Sequence, residues 1–410
     1  MNRKDIADLL ITCLNPTQQD IQQNQLTQLE PTQWEERVKQ HNLTNRMPQP
    51  IYRRLHRRFR ENAARNLQIY GELEPLLAAL SKQDIPVIVL KGAYLARAAY
   101  SNSALRYMAD YDILVHESDL PVVVDIVTTL GYQASQPVHL EGKSRLPHLP
   151  PFRKENGIAD VEIHWTIVSP LDPQTIEIDA LWKRAQPFRV GDAKALAFCP
   201  TDMLLHLCFH AAYDDFFVQG LRPLYDIAQL VERYGDIVGG EDGAENDEAR
   251  LNWHDVCERS ALWNCSRGTY LMLYLSYTLL NANIPPDVLE KLQPANTPLE
   301  LIETAKRRLF ANEESVDDSV SANFMRITGE KRLKDKVSLF ASRLLISRLE
   351  LSEAYEVPVD SPLLYLYYPR RYWDFFVNSS QQVWRYVNGT QTFKSDTDQR
   401  NLLINWMEQG

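Results

Sequence analysis

At Ile85 the spacing of the apolar residues changes, and that change constrains the fold more than any other feature of the chain. Upstream, Ile51, Leu55, Phe59 and Ala63 fall four apart, and Leu73, Leu76, Leu77 and Leu80 continue the stripe. That is the spacing of one helical face. The run Ile85-Pro86-Val87-Ile88-Val89-Leu90 is instead short and β-branched, and it stops at Lys91-Gly92. Such a run reads as a strand. AYLARAAY then returns to a helical pattern, and Tyr111 to Val115 (YDILV) forms a second strand. Ser118 and Asp119 are suited to cap the next helix, with Pro121 in its first turn. Its apolar run, VVVDIVTTL, ends at Gly131, a helix stop. From Ile158 to Ile167, Val161, Ile163 and Trp165 alternate with Asp160, Glu162 and His164, which is the period of a half-exposed third strand.

The expected architecture is therefore α+β, with a small mixed sheet and its helices set between helical N- and C-terminal regions. A helical arm covers 1–84, an α/β core 85–195 and a helical domain 196–410. A chain of 410 residues accommodates two or three such units. Within the last, Gly239 to Ala249 (GGEDGAENDEA) is acidic and lacks large apolar residues, so it reads as a disordered insert. Residues 312–318 (NEESVDD) read as a second exposed loop.

Composition narrows the function. The chain is 44% hydrophobic and 24% charged, ordinary for a globular protein. Its net charge of −10 argues against an extended nucleic-acid-coating surface, which needs clustered Lys and Arg. Cys13, Cys199, Cys208, Cys257 and Cys265 have no framework spacing, as expected of reduced thiols in a cytoplasmic protein. No apolar run is long enough for a membrane span or a signal segment.

Asp110 and Asp112 carry the strongest chemical signal. One residue apart at the mouth of a strand, they point to the same face while Tyr111 points to the other. Side by side, two carboxylates repel unless a cation lies between them. A hard divalent ion, Mg²⁺ or Mn²⁺, wants that arrangement, completing its shell with water and substrate phosphates. A third carboxylate on a neighbouring strand would complete a two-ion site. Glu162 is the better candidate, because it lies mid-strand between Val161 and Ile163. Asp160, on the same face but near a turn, remains the alternative.

These residues resemble a family of uncharacterised bacterial nucleotidyltransferases. The run Val87 to Val115, VIVLKGAYLARAAYSNSALRYMADYDILV, is similar to the family's strand, Lys-Gly, helix, Arg and Asp-hydrophobe-Asp signature. DVEIHW, Asp160 to Trp165, resembles its third strand, with an acid two positions before His-Trp. LLHLCFHAAYDDFFVQGLRPLYDIAQL, Leu204 to Leu230, is similar to its helical segment. The likeness covers roughly 50 to 290. It implies the minimal fold of the polymerase beta nucleotidyltransferase superfamily, which moves a nucleoside monophosphate from an NTP and releases pyrophosphate. By that resemblance Asp110, Asp112 and Glu162 are catalytic metal ligands for two ions. Gly92 is the phosphate-loop glycine, and Lys91-Gly92 stands where the wider superfamily has Gly-Ser, so Lys91 supplies charge to the triphosphate. The implied donor is an NTP, ATP foremost. The acceptor, whether a small molecule, a protein or an RNA end, is not written in the sequence.

Other residues admit two readings. Arg106 either orients a phosphate or neutralises the acidic cluster. His164 either contacts the nucleotide or makes a structural hydrogen bond. His206 and His210, four apart, have zinc-compatible spacing but no third ligand, so structural histidines are favoured. His210, Arg222 and Asp226 match the helical motif and either line the cleft or pair between helices. Arg53, Arg54, Arg57, Arg58, Arg60 and Arg65 read as a solvated helix face rather than an anion dock. Tyr365, Tyr367, Tyr368, Tyr372, Trp373 and Phe375, beside Arg370 and Arg371, read as a core or interface segment rather than a nucleobase platform. The rival to an enzyme is a catalytically silent, antitoxin-like interaction protein on the same fold. A silent fold has no use for three mutually repelling acids.

Overall fold

The computed structural model describes residues 49–138, 147–169, 173–235, 250–310, 351, 357, 361–370, 373 and 391–408. The Gly239–Ala249 insert, the 312–318 loop, Cys13, Arg371, Tyr372, Phe375 and the side chains of Arg53 and Arg54 lie outside them. The chain divides into two compact units. The first comprises 1–138, 145–214 and 221–294, and the second 139–144, 215–220 and 295–410.

The first unit holds a seven-stranded mixed sheet, with helices before, between and after its strands. Helix α1 (Gln49–Ser81) leads to β1 (Ile88–Val89), α2 (Lys91–Ala98), β2 (Asp110–Leu114), α3 (Leu120–Thr129), β3 (Tyr132–Ala134), β4 (Phe152–Lys154), β5 (Asp160–His164), α4 (Ile178–Arg184), β6 (Gln186–Val190) and β7 (Ala193–Ala197). Then come α5 (Pro200–Phe209), a π turn at His210–Asp214, α6 (Arg222–Tyr234), α7 (Trp253–Leu262), α8 (Ser266–Leu280) and α9 (Pro286–Leu292). The sheet order is β3-β4-β5-β2-β1-β7-β6. The β1–β2 pairing is antiparallel, while β2–β5 and β1–β7 are parallel. The α+β expectation with helical flanks holds, and the sheet is larger than the three expected strands.

The part of the α1 stripe from Leu73 to Leu80 is core, while Phe59 and Ala63 are half-buried and the side chains of Ile51 and Leu55 lie outside the described residues. Leu73, Leu76, Leu77 and Leu80 are fully buried, each stabilising the fold by roughly 1.5–3 kcal/mol relative to exposure. The helix packs on β7 and on a 3₁₀ turn at Ser103–Leu105. The boundaries expected at 84 and 195 thus fall inside one compact unit. Ahead of α3, Asp119 occupies the cap position, but neither it nor Ser118 makes the expected capping bond to the helix. At its other end Gly131 has φ +85°, a left-handed conformation that favours glycine.

In the second unit, α10 (Leu299–Leu309) packs with α11 (Gln391–Met407). Arg308 is buried there, its Nε donating to the Phe216 carbonyl at 2.8 Å. Leu351 and Leu364 form a small core with Val357, Tyr367 and Tyr368 against it, whereas Tyr365 and Trp373 are exposed. Among the described residues no helix is long and apolar enough to cross a membrane.

Candidate active site

The parallel pairing of β2 and β5 assembles the acids. Asp110 is opposite Asp160, Asp112 opposite Glu162, and Leu114 opposite His164. Strand alternation sends Tyr111, Ile113, Val161 and Ile163 into the core. The acids and His164 share the other face.

Asp112 is the centre of this face, buried at 4% exposure. Its Oδ1 lies 3.2 Å from Lys91 Nζ and 3.1 Å from His164 Nε2. The same His164 Nε2 is 3.5 Å from Glu162 Oε2. Lys91 reaches Asp112 because the β1 end is tied to β2, with Leu90 N–H donating to the Asp112 carbonyl at 3.0 Å. Lys91 itself has φ +37°, an unusual conformation for a residue with a side chain. Gly92 is buried in the first turn of α2. A Cβ there would lie 3.3 Å from Met108 Cγ and 3.4 Å from Arg106 Nη1, so a larger residue would press on both side chains.

The electrostatics follow from this crowding. Burial would raise the Asp112 pKa, but the charges of Lys91, His164 and His210 and the His164 hydrogen bond hold it well below the usual carboxylate range. Asp110 is exposed at its surface. Even so, the surrounding protein and then the charges of Asp112 and Glu162 push its carboxyl up. For Lys91, burial works against the charge, yet Asp112, Glu162 and Asp214 outweigh it and keep the ammonium charged. His164 is likewise raised, burial being overcome by its bonds to Asp112 and Glu162.

Asp112, Glu162 and His164 have ligand atoms all within 4.8 Å of one another, a group that can hold a divalent ion. Two carboxylates fit such an ion, and the buried Lys91 ammonium marks a spot where positive charge is favoured. Asp110 lies outside that tight group, on the same face. Asp160 is engaged elsewhere: Arg153 grips it through Nε–Oδ1 at 2.5 Å and Nη2–Oδ2 at 2.8 Å.

The remaining site expectations find other partners. Arg106 is buried and forked onto Asp226 of α6, with Nε–Oδ1 at 2.8 Å and Nη2–Oδ2 at 2.9 Å, while Nη1 donates to the Tyr107 carbonyl. Tyr100 Oη donates to the same Asp226 at 2.6 Å. Asp226 therefore anchors the loop before β2, and its partner is on a loop rather than an adjacent helix. Arg222 acts electrostatically on Asp110, and His210 on Asp112. His206 is buried with neither ring nitrogen hydrogen-bonded. Burial, then the Lys91 and His210 charges, hold its pKa well below the ordinary value, so it is neutral. Neither His206 nor His210 belongs to a metal-capable group among the described residues.

Sequence reasoning missed Arg65. Arg57, Arg58 and Arg60 are exposed as expected of a solvated face, but Arg65 Nε donates to the Met108 carbonyl at 2.7 Å and Nη2 to Ala109 at 2.9 Å. The available signal was its neighbours: Asn62 and Asn66, three residues before and one after, are polar side chains interrupting an apolar stripe. No curated protein matches the chain. A family model described as an uncharacterised nucleotidyltransferase matches residues 25–281, more than half the length, and the chain belongs to that family.

Proposed function

We propose that the chain is a metal-dependent nucleotidyltransferase that moves a nucleoside monophosphate from an NTP, ATP foremost, to an acceptor hydroxyl and releases pyrophosphate. On this reading Asp110, Asp112 and Glu162 hold two ions, Mg²⁺ or Mn²⁺. Bound there, such ions would neutralise the triphosphate and polarise the reacting oxygens. Lys91 gives its ammonium to the triphosphate, and the first turn of α2 at Gly92 offers unpaired backbone N–H groups to a phosphate. His164 fixes the orientation of the Asp112 and Glu162 carboxylates. Arg106 acts from behind, since its guanidinium is occupied by Asp226.

The observation that carries the reading is the β2–β5 register, which sets Asp112 opposite Glu162 with Asp110 on the same face. Family membership supports it. Calorimetry with ATP, with and without Mg²⁺, tests it on the wild type and on Asp112→Asn. Binding should need the metal and fail in the variant; equal, metal-independent affinity in both proteins overturns the proposal. Labelled NTPs incubated with the protein, Mg²⁺ or Mn²⁺ and cell extract then identify the acceptor as the species that takes up label.

A further inference from the structure

Asp110 stands at the end of a loop held from two sides. On one side are three side chains of α1, spaced three and four apart and so sharing a helical face. Asn62 Nδ2 donates to the Ala104 carbonyl at 2.5 Å. Arg65 donates to the Met108 and Ala109 carbonyls at 2.7 and 2.9 Å, the latter from the residue adjoining Asp110. Asn66 Nδ2 donates to the Ser103 and Arg106 carbonyls at 2.6 and 2.8 Å. The Arg65 guanidinium also lies 5.3 Å from the centre of the Tyr107 ring. On the other side, Arg106 carries the loop to Asp226 of α6.

The loop needs such a hold. Asp110 shares a face with Asp112 and Glu162, and like charges gathered without a cation push one another apart. A free loop would relieve the repulsion by carrying Asp110 outward. The clamp also has a local cost. Asn62 and Asn66 each leave a buried Oδ1 without a hydrogen-bond partner, an arrangement that stability alone does not favour. Local rules are broken in this way where function requires it.

We propose that Asn62, Arg65 and Asn66 are positioning residues that hold Asp110 beside Asp112 and Glu162 in readiness for a divalent cation. The inference rests on the nucleotidyltransferase reading of the site and extends it to a face of α1 to which that reading assigns neither a metal ligand nor a nucleotide contact. Its test is Mn²⁺ binding by the whole chain, followed by the electron paramagnetic resonance of free Mn²⁺, with a thermal melt of each protein. Arg65→Met removes both bonds next to Asp110, Arg65→Lys keeps the charge but only one donor nitrogen in place of the two that Arg65 uses, and Arg57→Met changes an exposed arginine of the same helix. Wild type and Arg57→Met should bind alike. Arg65→Met should bind roughly 10–100-fold more weakly, the usual effect of losing a supporting contact, with Arg65→Lys between. Wild-type affinity in Arg65→Met, or a lower melting temperature with unchanged affinity, overturns the proposal. If Arg65→Met does not fold, unchanged affinity in Arg65→Lys does so. A wild type that binds no Mn²⁺, even with ATP, defeats the metal reading and the clamp together.

Discussion

Asp112 and Glu162 lie directly opposite each other in the parallel pair β2–β5, and one nitrogen of His164 reaches both, at 3.1 Å from Asp112 Oδ1 and 3.5 Å from Glu162 Oε2. Asp160, two residues earlier on the same face, is turned to Arg153 instead. The two acids of β5 are therefore not equivalent. Glu162→Gln should abolish nucleotidyl transfer while leaving the melting temperature close to wild type. Asp160→Asn should be much milder, because it loses only a solvent-screened pair with the exposed Arg153. Transfer assays on both variants check the ranking, and the reverse order would move the site along the strand.

On the metal-dependent reading, Lys91 would compete with the ion for Asp112. Its ammonium is 3.2 Å from Oδ1, so an incoming ion must displace it or share the carboxylate. Lys91→Met should bind Mn²⁺ alone more tightly, by about tenfold if roughly 1.4 kcal/mol of competition is removed. The same variant should bind the Mn²⁺–ATP complex more weakly, having lost a charge for the triphosphate. Calorimetry separates the two effects. A parallel weakening of both would make Lys91 a structural counter-ion.

The Arg106–Asp226 pair should matter for folding out of proportion to its size. Both groups are buried, and Tyr100 adds a third bond. Asp226→Asn leaves a buried guanidinium without its anion, a change that costs about 3–5 kcal/mol. The double variant Arg106→Met/Asp226→Leu removes both charges and should recover part of that loss. Urea unfolding followed by circular dichroism reads both, and a double variant no better than the single one would refute the account.

The four described cysteines are buried free thiols. Burial, with Asp202 adding to it, pushes Cys199 up from 9.0 to about 11, and burial pushes Cys265 up to about 12. At pH 8 about one Cys199 in a thousand is then thiolate, the form that reacts. In a Cys13→Ser variant, Ellman's reagent should label the native protein slowly and four thiols promptly in guanidinium. Because the folded thiols hold their protons more tightly than the unfolded ones, their contribution to stability is full below pH 9. It is lost as pH rises towards 11–12. Rapid native labelling at pH 8 would contradict this burial.

Much of the site could be read from a single strand at a time. Asp110-Tyr111-Asp112 declared its shared face by period two, and Lys91-Gly92 declared the end of a strand. The sheet was less legible. Tyr132–Ala134 and Phe152–Lys154 are three residues long, too short for a periodic signal. The strand Gln186–Val190 contains Pro187, and Ala193–Ala197 is rich in alanine, both poor strand signatures. Their one local cue was Gly191-Asp192, a two-residue turn with Gly191 at φ +56°.

What the sequence by itself determined was therefore what depends on neighbours along the chain: the stripe of α1 from Leu73 to Leu80, the three central strands, and the Asp-x-Asp face. The tertiary structure decided which acid lies opposite Asp112, that Arg153 occupies Asp160, and that Arg106 is committed to Asp226. It also moved Arg65 from a solvated arginine run to the loop that carries Asp110. Periodicity reports which way a side chain points from its own element. Which partner it meets depends on strand register and helix docking, and these are set by the burial of the whole core rather than by any local segment.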